Sequence, residues 1–467
     1  MNPHLEPLME FLQIPSVSTQ PEFSADCTRA REFLVRLFSE SGLIVSTLPS
    51  EVHDAIFAQT PYRSNRPTVL IYGHYDVQPA GAPSQWTTPA FEPNIRKNRV
   101  YARGATDNKG QIMIHIMALR ELISKFGLKE LPVNIKFIIE GEEEIGSPGV
   151  ENLLSRYPDL FAADYIVLSD TEMLAPGFPS IDVSLRGVVD VEIELQIGSH
   201  DMHSGQFGGV APNPAFLLAH ILTKLKNGQG RVMLPGFYQD VLPLTPDEAS
   251  DFKRLEPKAG DILKDGHFYF LGGGENGLSL NRRRWSEPTL DITGLESGYT
   301  GPGTKTIIPN TAEVKLSMRL VPNQNPQKIY RNLVSFLQKN TPKRACLRVF
   351  MYPAALPYKA PTKHPVYTLA KEVLKTVFNH PAVFVGQGGS IGFVPVLARK
   401  LNVPCLLIGF GLPDENVHAP NEHFSLENYE NGITAMTLFY SDLQNLRTDA
   451  SKSSLTSAKT IYKITET

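Results

Sequence analysis

Apolar, β-branched runs alternate with helical stretches along the first part of the chain, and that order restricts the fold more than any other feature. "PTVLIYGHYDV" is rich in β-branched and aromatic residues, is bounded by Pro67 and Pro79, and predicts a buried strand. "QIMIHIMALRELISKFG" predicts a helix that closes at Gly127. "VNIKFIIE" and "ADYIVLSD" predict two more buried strands, each ending in an acidic residue. Strand, helix, strand at these lengths predicts an α/β domain with a largely parallel sheet flanked by helices. Ahead of them, Leu5 to Leu12 and Asp26 to Ser41 carry apolar residues at three- and four-residue spacing and predict amphipathic helices.

The character changes near Leu185. "VVDVEIELQI" and "TAEVKLSMRLV" alternate apolar and polar residues as half-exposed strands do. "PQKIYRNLVSFLQKN" predicts a helix and "CLRVFMYPA" a further strand. From His364 onward, the helix, the strand "VPCLLIGF" and the helix "SLENYENGITAMTLFYSDLQNL" return to the first style. The expected organisation is an α/β domain, 1–179 and 363–446, interrupted by a smaller inserted α+β domain, 180–362. The segment 447–467, rich in Ser, Thr and Lys, is expected to be a disordered tail. A length of 467 residues exceeds one ordinary core and agrees with two domains.

Composition narrows the function. A net charge of −3 gives no reason to expect nucleic acid or an acidic membrane as partner. No apolar run reaches the ~20 residues of a membrane span, and the N-terminus lacks the basic and apolar regions of a signal peptide. Three widely spaced cysteines imply no disulfide framework and fit a reducing, cytoplasmic setting.

Several predicted strands end in groups that bind metals. The first offers His74 and Asp76, two apart on one side of an extended chain. The loop "RGATDNKG" offers Asp107, "EGEEEIGSPG" four glutamates, the third strand Asp170, and "ENVHAPNEHF" His418. Functional groups gather outside the carboxyl ends of strands in open α/β sheets, and histidines and carboxylates converging there suit two divalent ions with a bridging carboxylate. Each residue also has a plainer reading, as a solvated charge run, a turn-forming aspartate or a structural histidine, and spacing alone leaves both readings open.

The motifs "YGHYDVQPA", "YARGATDNKGQ", "EGEEEIGSPG", "SLRGVVDVEIELQ", "DMHSGQFGG", "TKTIIP", "SMRLVPNQNP", "GQGGSI" and "HAPNE" occur in order along nearly the whole chain, to about residue 445. With them the chain resembles the co-catalytic zinc peptidase family of aminoacylases, carboxypeptidase G, desuccinylases and carnosinase-type dipeptidases, and its middle motifs resemble the dipeptidase branch. The resemblance implies that His74, Asp107 and Asp170 hold one metal and Asp107, Glu144 and His418 the other. It implies that Asp76 orients His74, that Glu143 is the general base, and that the Asp107–Asn108 peptide is cis. It implies two divalent ions per subunit, zinc by default, with manganese and cobalt fitting the same shell. It further implies that Arg319 clamps the substrate carboxylate with Thr306, Gly389 and Ser390 nearby. By the same resemblance, the chain dimerises through the inserted domain and His203 reaches the partner's active site. Small peptides are the implied substrates. Of the four glutamates, only Glu143 and Glu144 receive roles; Glu140 and Glu142 are read as incidental.

The chain departs from the dipeptidase pattern in three places. Asp107-Asn108 stands where relatives carry two aspartates, "GGSIGFVP" has three extra residues between Ser-Ile and its proline, and "HAPNE" differs at two neighbours of His418. The leading expectation is a metal-dependent dipeptidase. The competing readings are an amidohydrolase of N-acyl or N-succinyl amino acids with the same mechanism, and a non-catalytic metal-stabilised scaffold.

Overall fold

The computed structural model describes residues 3–446; the expected disordered tail, 447–467, lies outside the described residues. The first predicted strand runs over Thr68–His74, the helix over Lys109–Phe126 with Gly127 as its cap, and the next strands over Asn134–Glu140 and Tyr165–Leu168. All three strands are buried along their whole length, as strands covered on both faces by helices must be.

They form the centre of a nine-stranded mixed sheet. Thr68–His74 is parallel to both Asn134–Glu140 and Tyr165–Leu168, and Cys405–Leu407 is parallel to Tyr165–Leu168. Four adjacent strands therefore end on one edge. One continuous apolar core, running from Leu5 to Leu443, covers this sheet and contains the helices Leu5–Leu12, Ser24–Glu40, Lys109–Phe126 and Leu426–Asp442.

The smaller sheet is antiparallel, in the order Thr289–Ser297, Thr311–Leu320, Gly187–Gln196, Cys346–Met351. Gly187–Gln196 alternates buried and half-buried residues without a break, and its buried set packs on the helices Pro214–Thr223 and Pro326–Asn340 in a second core. The expected border at 180 and 362 differs from the sheets. Ser180–Leu185 and Tyr358–Lys359 pair with each other in the large sheet, so the smaller sheet spans Gly187 to Met351. Ser180–Leu185 is buried at every position, unlike the alternating strand that follows, and this is the physical reason it belongs to the covered sheet. A third cluster joins Phe252 and Trp285 of the insertion to Val383 and Val385 of the large sheet. Among the described residues, no helix is long and apolar enough to cross a membrane.

Candidate active site

The shared strand edge gathers the predicted metal ligands. His74 ends its strand fully buried, Glu143 and Glu144 begin a short 3-10 turn three residues after Glu140, and Asp170 lies two residues beyond Leu168. Asp107 precedes the helix Lys109–Phe126, and the Asp107–Asn108 peptide is cis. Gly110 lets this helix meet the loop before it, since a Cβ there would lie 2.0 Å from the Ala105 carbonyl oxygen.

Two triads result, each with one imidazole nitrogen and two carboxylate oxygens within 4.8 Å of one another: His74, Asp107, Asp170 and Asp107, Glu144, His418. His74 Nε2 lies 3.2 Å from Asp107 Oδ1 and 3.6 Å from Asp170 Oδ1. His418 Nε2 lies 2.8 Å from Asp107 Oδ2 and 3.4 Å from Glu144 Oε1. Both oxygens of Asp107 are thus engaged, one in each triad. His74 Nε2 and Glu144 Oε1 are buried without a hydrogen-bond partner, although each has an oppositely charged neighbour within ion-pair distance. Orphaned ligand atoms facing carboxylates and imidazoles are the donor set that a pair of divalent cations would satisfy.

Several of these side chains are held from behind. Asp76 Oδ1 accepts from the Glu143 N–H at 3.3 Å, and its Oδ2 accepts from the Glu144 N–H at 3.0 Å and from Ser18 Oγ at 2.7 Å. His74 Nδ1 lies 3.3 Å from Asp76 Oδ1 and 3.1 Å from the Asp76 carbonyl. Asp76 thus touches the histidine and accepts from the backbone of both glutamates. Gln78 Nε2 donates to Glu144 Oε2 at 2.9 Å. Glu422, fully buried, accepts from Arg103 Nη1 at 2.7 Å and from the N–H groups of Gly104, Thr106 and Asp107, which shapes the loop that presents Asp107.

Asn108 explains one departure from the dipeptidase pattern. Its Nδ2 donates to Asp170 Oδ1 and to the Ser169 carbonyl, both at 2.7 Å. An aspartate in that position would face Asp170 as a second carboxylate and could donate only when protonated. Glu140 and Glu142 are not incidental. Glu142 accepts from the N–H groups of Val52, His53 and Gly149 and from Ser50 Oγ. Glu140 accepts from the hydroxyls of Tyr72 and Ser147.

The charges couple. Burial opposes ionisation of Asp107, yet hydrogen bonds from His418 and His74 hold its carboxyl below the ordinary range. Burial opposes a charge on His74, but Asp107, Asp170 and Asp76 together raise its pKa well above 6.5. His418 is raised to about 10 by Asp107 and Glu144. Glu143 is raised well above 4.5, chiefly by burial, with the Asp170, Glu144 and Asp107 carboxylates adding to it. Cations in the triads would oppose that rise.

The remaining predicted residues form two further groups. Arg319 Nη1 donates to Ser390 Oγ at 3.1 Å, and the neighbouring Gly389 carbonyl accepts from the Arg186 N–H at 3.1 Å. His203 is exposed; its Nδ1 accepts from the Gly205 N–H at 3.0 Å, and the Ser204 N–H donates to the Thr306 carbonyl at 3.1 Å. No hydrogen bond or ion pair among the described residues joins His203 to either triad. Sequence reading gave no role to Arg186, Ser18, Gln78 or Glu422. Arg186, Gln78 and Glu422 sit inside the motifs "SLRGVV", "YGHYDVQPA" and "HAPNE", whereas Ser18 lies outside all of them.

The pattern of peptidase family M20/M25/M40 matches residues 70–442. The chain belongs to this family. It is 30% identical over 463 residues to human Beta-Ala-His dipeptidase (95% of this chain, 90% of that one). It is also 30% identical to a Cys-Gly metallodipeptidase of Candida albicans (92% and 93%). Among solved structures it is similar to an M20 family metallo-carboxypeptidase from Sulfolobus solfataricus, with a TM-score of 0.84 and 31% identity (96% and 100%).

Proposed function

We propose that this M20 peptidase is a dipeptidase that works with two divalent ions. The observation that carries the reading is the pair of triads sharing Asp107, with Glu143 beside them, in a chain 30% identical over nearly its whole length to dipeptidases. His74, Asp107 and Asp170 would hold one ion and Asp107, Glu144 and His418 the other; zinc suits this set, as manganese and cobalt do. A bound pair would lower the pKa of the attacking water to about 7 and place positive charge at the substrate carbonyl.

Glu143 would accept a proton from the attacking water and return it to the departing amine, so one carboxyl serves as base and then as acid. Its burial suits this, because a carboxylate in a poorly solvated position gains most from accepting a proton. Asp76 holds the Glu143 N–H and so fixes where the base stands. Arg319, with Thr306, Gly389 and Ser390, binds the carboxylate end of the peptide.

The same reading includes a homodimer through the inserted domain, in which His203 serves the partner's site. It is supported by the absence of a partner for His203 among the metal ligands and by the edge strand Thr289–Ser297, whose Ile292 and Leu295 are exposed. It also includes a cytoplasmic location, supported by three unpaired cysteines. The name of the Sulfolobus structure favours a second reading, carboxypeptidase action on longer peptides.

The test is a panel of free dipeptides, tripeptides, and N-acetyl and N-succinyl amino acids, given to metal-stripped protein restored with zinc or manganese. Cleavage concentrated on dipeptides is the expected result. Trimming of tripeptides would favour the carboxypeptidase reading, release of acetate or succinate would move the chain to a deacylase, and silence with both metals would leave the scaffold.

A further inference from the structure

Two guanidinium groups approach one loop where the inserted domain meets the large sheet. Arg319, on the strand Thr311–Leu320, reaches Ser390 Oγ. Arg186, directly after Ser180–Leu185, donates its N–H to the Gly389 carbonyl and its Nε to the Gly388 carbonyl, each at 3.1 Å, and its own carbonyl accepts from Ser390 Oγ. The fork packs close to Gly388, where a Cβ would sit 3.1 Å from Arg186 Nη2. Loop, first arginine and second arginine form one connected unit.

This unit lacks its counter-charge. Arg186 Nη1 is buried with no hydrogen-bond partner. No ion pair among the described residues engages Arg186, Arg319 or Arg284. Burial, with the like charges of Arg319 and Arg284, lowers the Arg186 pKa to about 10, and Asp291 opposes this only in part. Like charges held together beside an unmet buried donor are stabilised by an anion that accepts from both, and a planar fork meets a carboxylate in two parallel hydrogen bonds.

We propose that Arg186 is the second arm of a two-arginine clamp which, with Arg319, binds the free α-carboxylate of the substrate at the loop Gly388–Ser390. The clamp selects substrates with a free carboxyl terminus. It deepens the dipeptidase reading and rests on it for the identity of the substrate.

The test compares zinc-loaded wild type, Arg186→Met and Arg186→Lys on alanyl-alanine and alanyl-alaninamide. Arg186→Met should raise KM for the free dipeptide about 30-fold, which is about 2 kcal/mol at ~1.4 kcal/mol per decade, with kcat within about threefold. On the amide its KM should stay within about threefold. Arg186→Lys keeps the charge without the fork and should cost about tenfold on the free dipeptide alone; it carries the test if the methionine variant does not fold. Equal losses on both substrates would mean that Arg186 only braces the loop, and no loss on either would remove it from the site; both overturn the clamp. Calorimetry with the uncleavable reduced-amide analogue, as carboxylate and as carboxamide, separates this from the activity. Carboxylate preference that Arg186→Met abolishes, in an enzyme silent on dipeptides, would keep the clamp and sink the dipeptidase reading. Turnover with unchanged preference in the variant would do the reverse.

Discussion

Asp76→Asn is a near-isosteric change with a defined cost. Both carboxylate oxygens accept from a backbone N–H, Oδ1 from Glu143 and Oδ2 from Glu144. An asparagine has one oxygen, so whichever way its amide turns, one of these N–H groups faces an NH2 donor. Ser18 can rotate its hydroxyl and accept, and His74 Nδ1 keeps the Asp76 carbonyl at 3.1 Å, so neither is stranded. The net loss is one hydrogen bond to a charged acceptor, worth ~1.5–3 kcal/mol. Changes behind metal ligands cost ~10–100-fold in affinity or activity, which is the same range. Because the lost bond holds the base or the ligand beside it, the expected outcome is about 30-fold weaker metal binding together with a lower kcat at saturating metal. Chelator competition measures the first and steady-state kinetics the second. Ser18→Ala, which leaves both N–H bonds intact, should stay within about fivefold of wild type. An Asp76→Asn enzyme within threefold of wild type on both readouts refutes the reasoning, as does a Ser18→Ala enzyme that falls equally far.

Glu142→Ala removes the acceptor for four donors, from Val52, His53, Ser50 and Gly149. At ~1 kcal/mol net for each, the variant should lose about 4 kcal/mol, read as a lower denaturant midpoint, and a loss under 1 kcal/mol would return Glu142 to an incidental role. His115, buried between Ser169 Oγ and Tyr440 Oη, has its pKa lowered to about 3 by burial. The unfolded chain binds the extra proton between pH 6.5 and about 3, so stability falls as pH drops through that window. Between pH 6.5 and 5 the wild type should lose about 2 kcal/mol more than His115→Gln, and equal losses would show that His115 is not the acid-sensitive group. Mixing inactive His203→Ala and Glu143→Gln proteins should recover part of the activity if His203 serves a partner's site; a mixture as inactive as its parents argues that each subunit works alone.

The sequence made the elements legible because burial leaves a local imprint. Thr68–His74 and Asn134–Glu140 are mostly apolar and buried at every position since both faces of their sheet are covered, and Gly187–Gln196 alternates since one face is not. The border was harder to place because Ser180–Leu185 runs almost directly into Gly187–Gln196, with Arg186 alone between two sheets. The triads were legible only through whole motifs, since the ligands come from five separate segments and no spacing in the chain encodes their meeting. Of what lay beneath them, only Asp76 was read from the sequence. Glu142 binds residues about ninety positions away, Glu422 reaches back more than three hundred to the loop of Asp107, and Ser18 meets Asp76 across fifty-eight. A carboxylate's function at such range depends on which N–H groups the fold turns toward it. The same limit accounts for Asn108, whose replacement of an aspartate reads in sequence as a lost charge and in the fold as a donor aimed at Asp170. Residue type told which groups could bind a metal, and the hydrogen bonds behind them decide how rigidly they would do so.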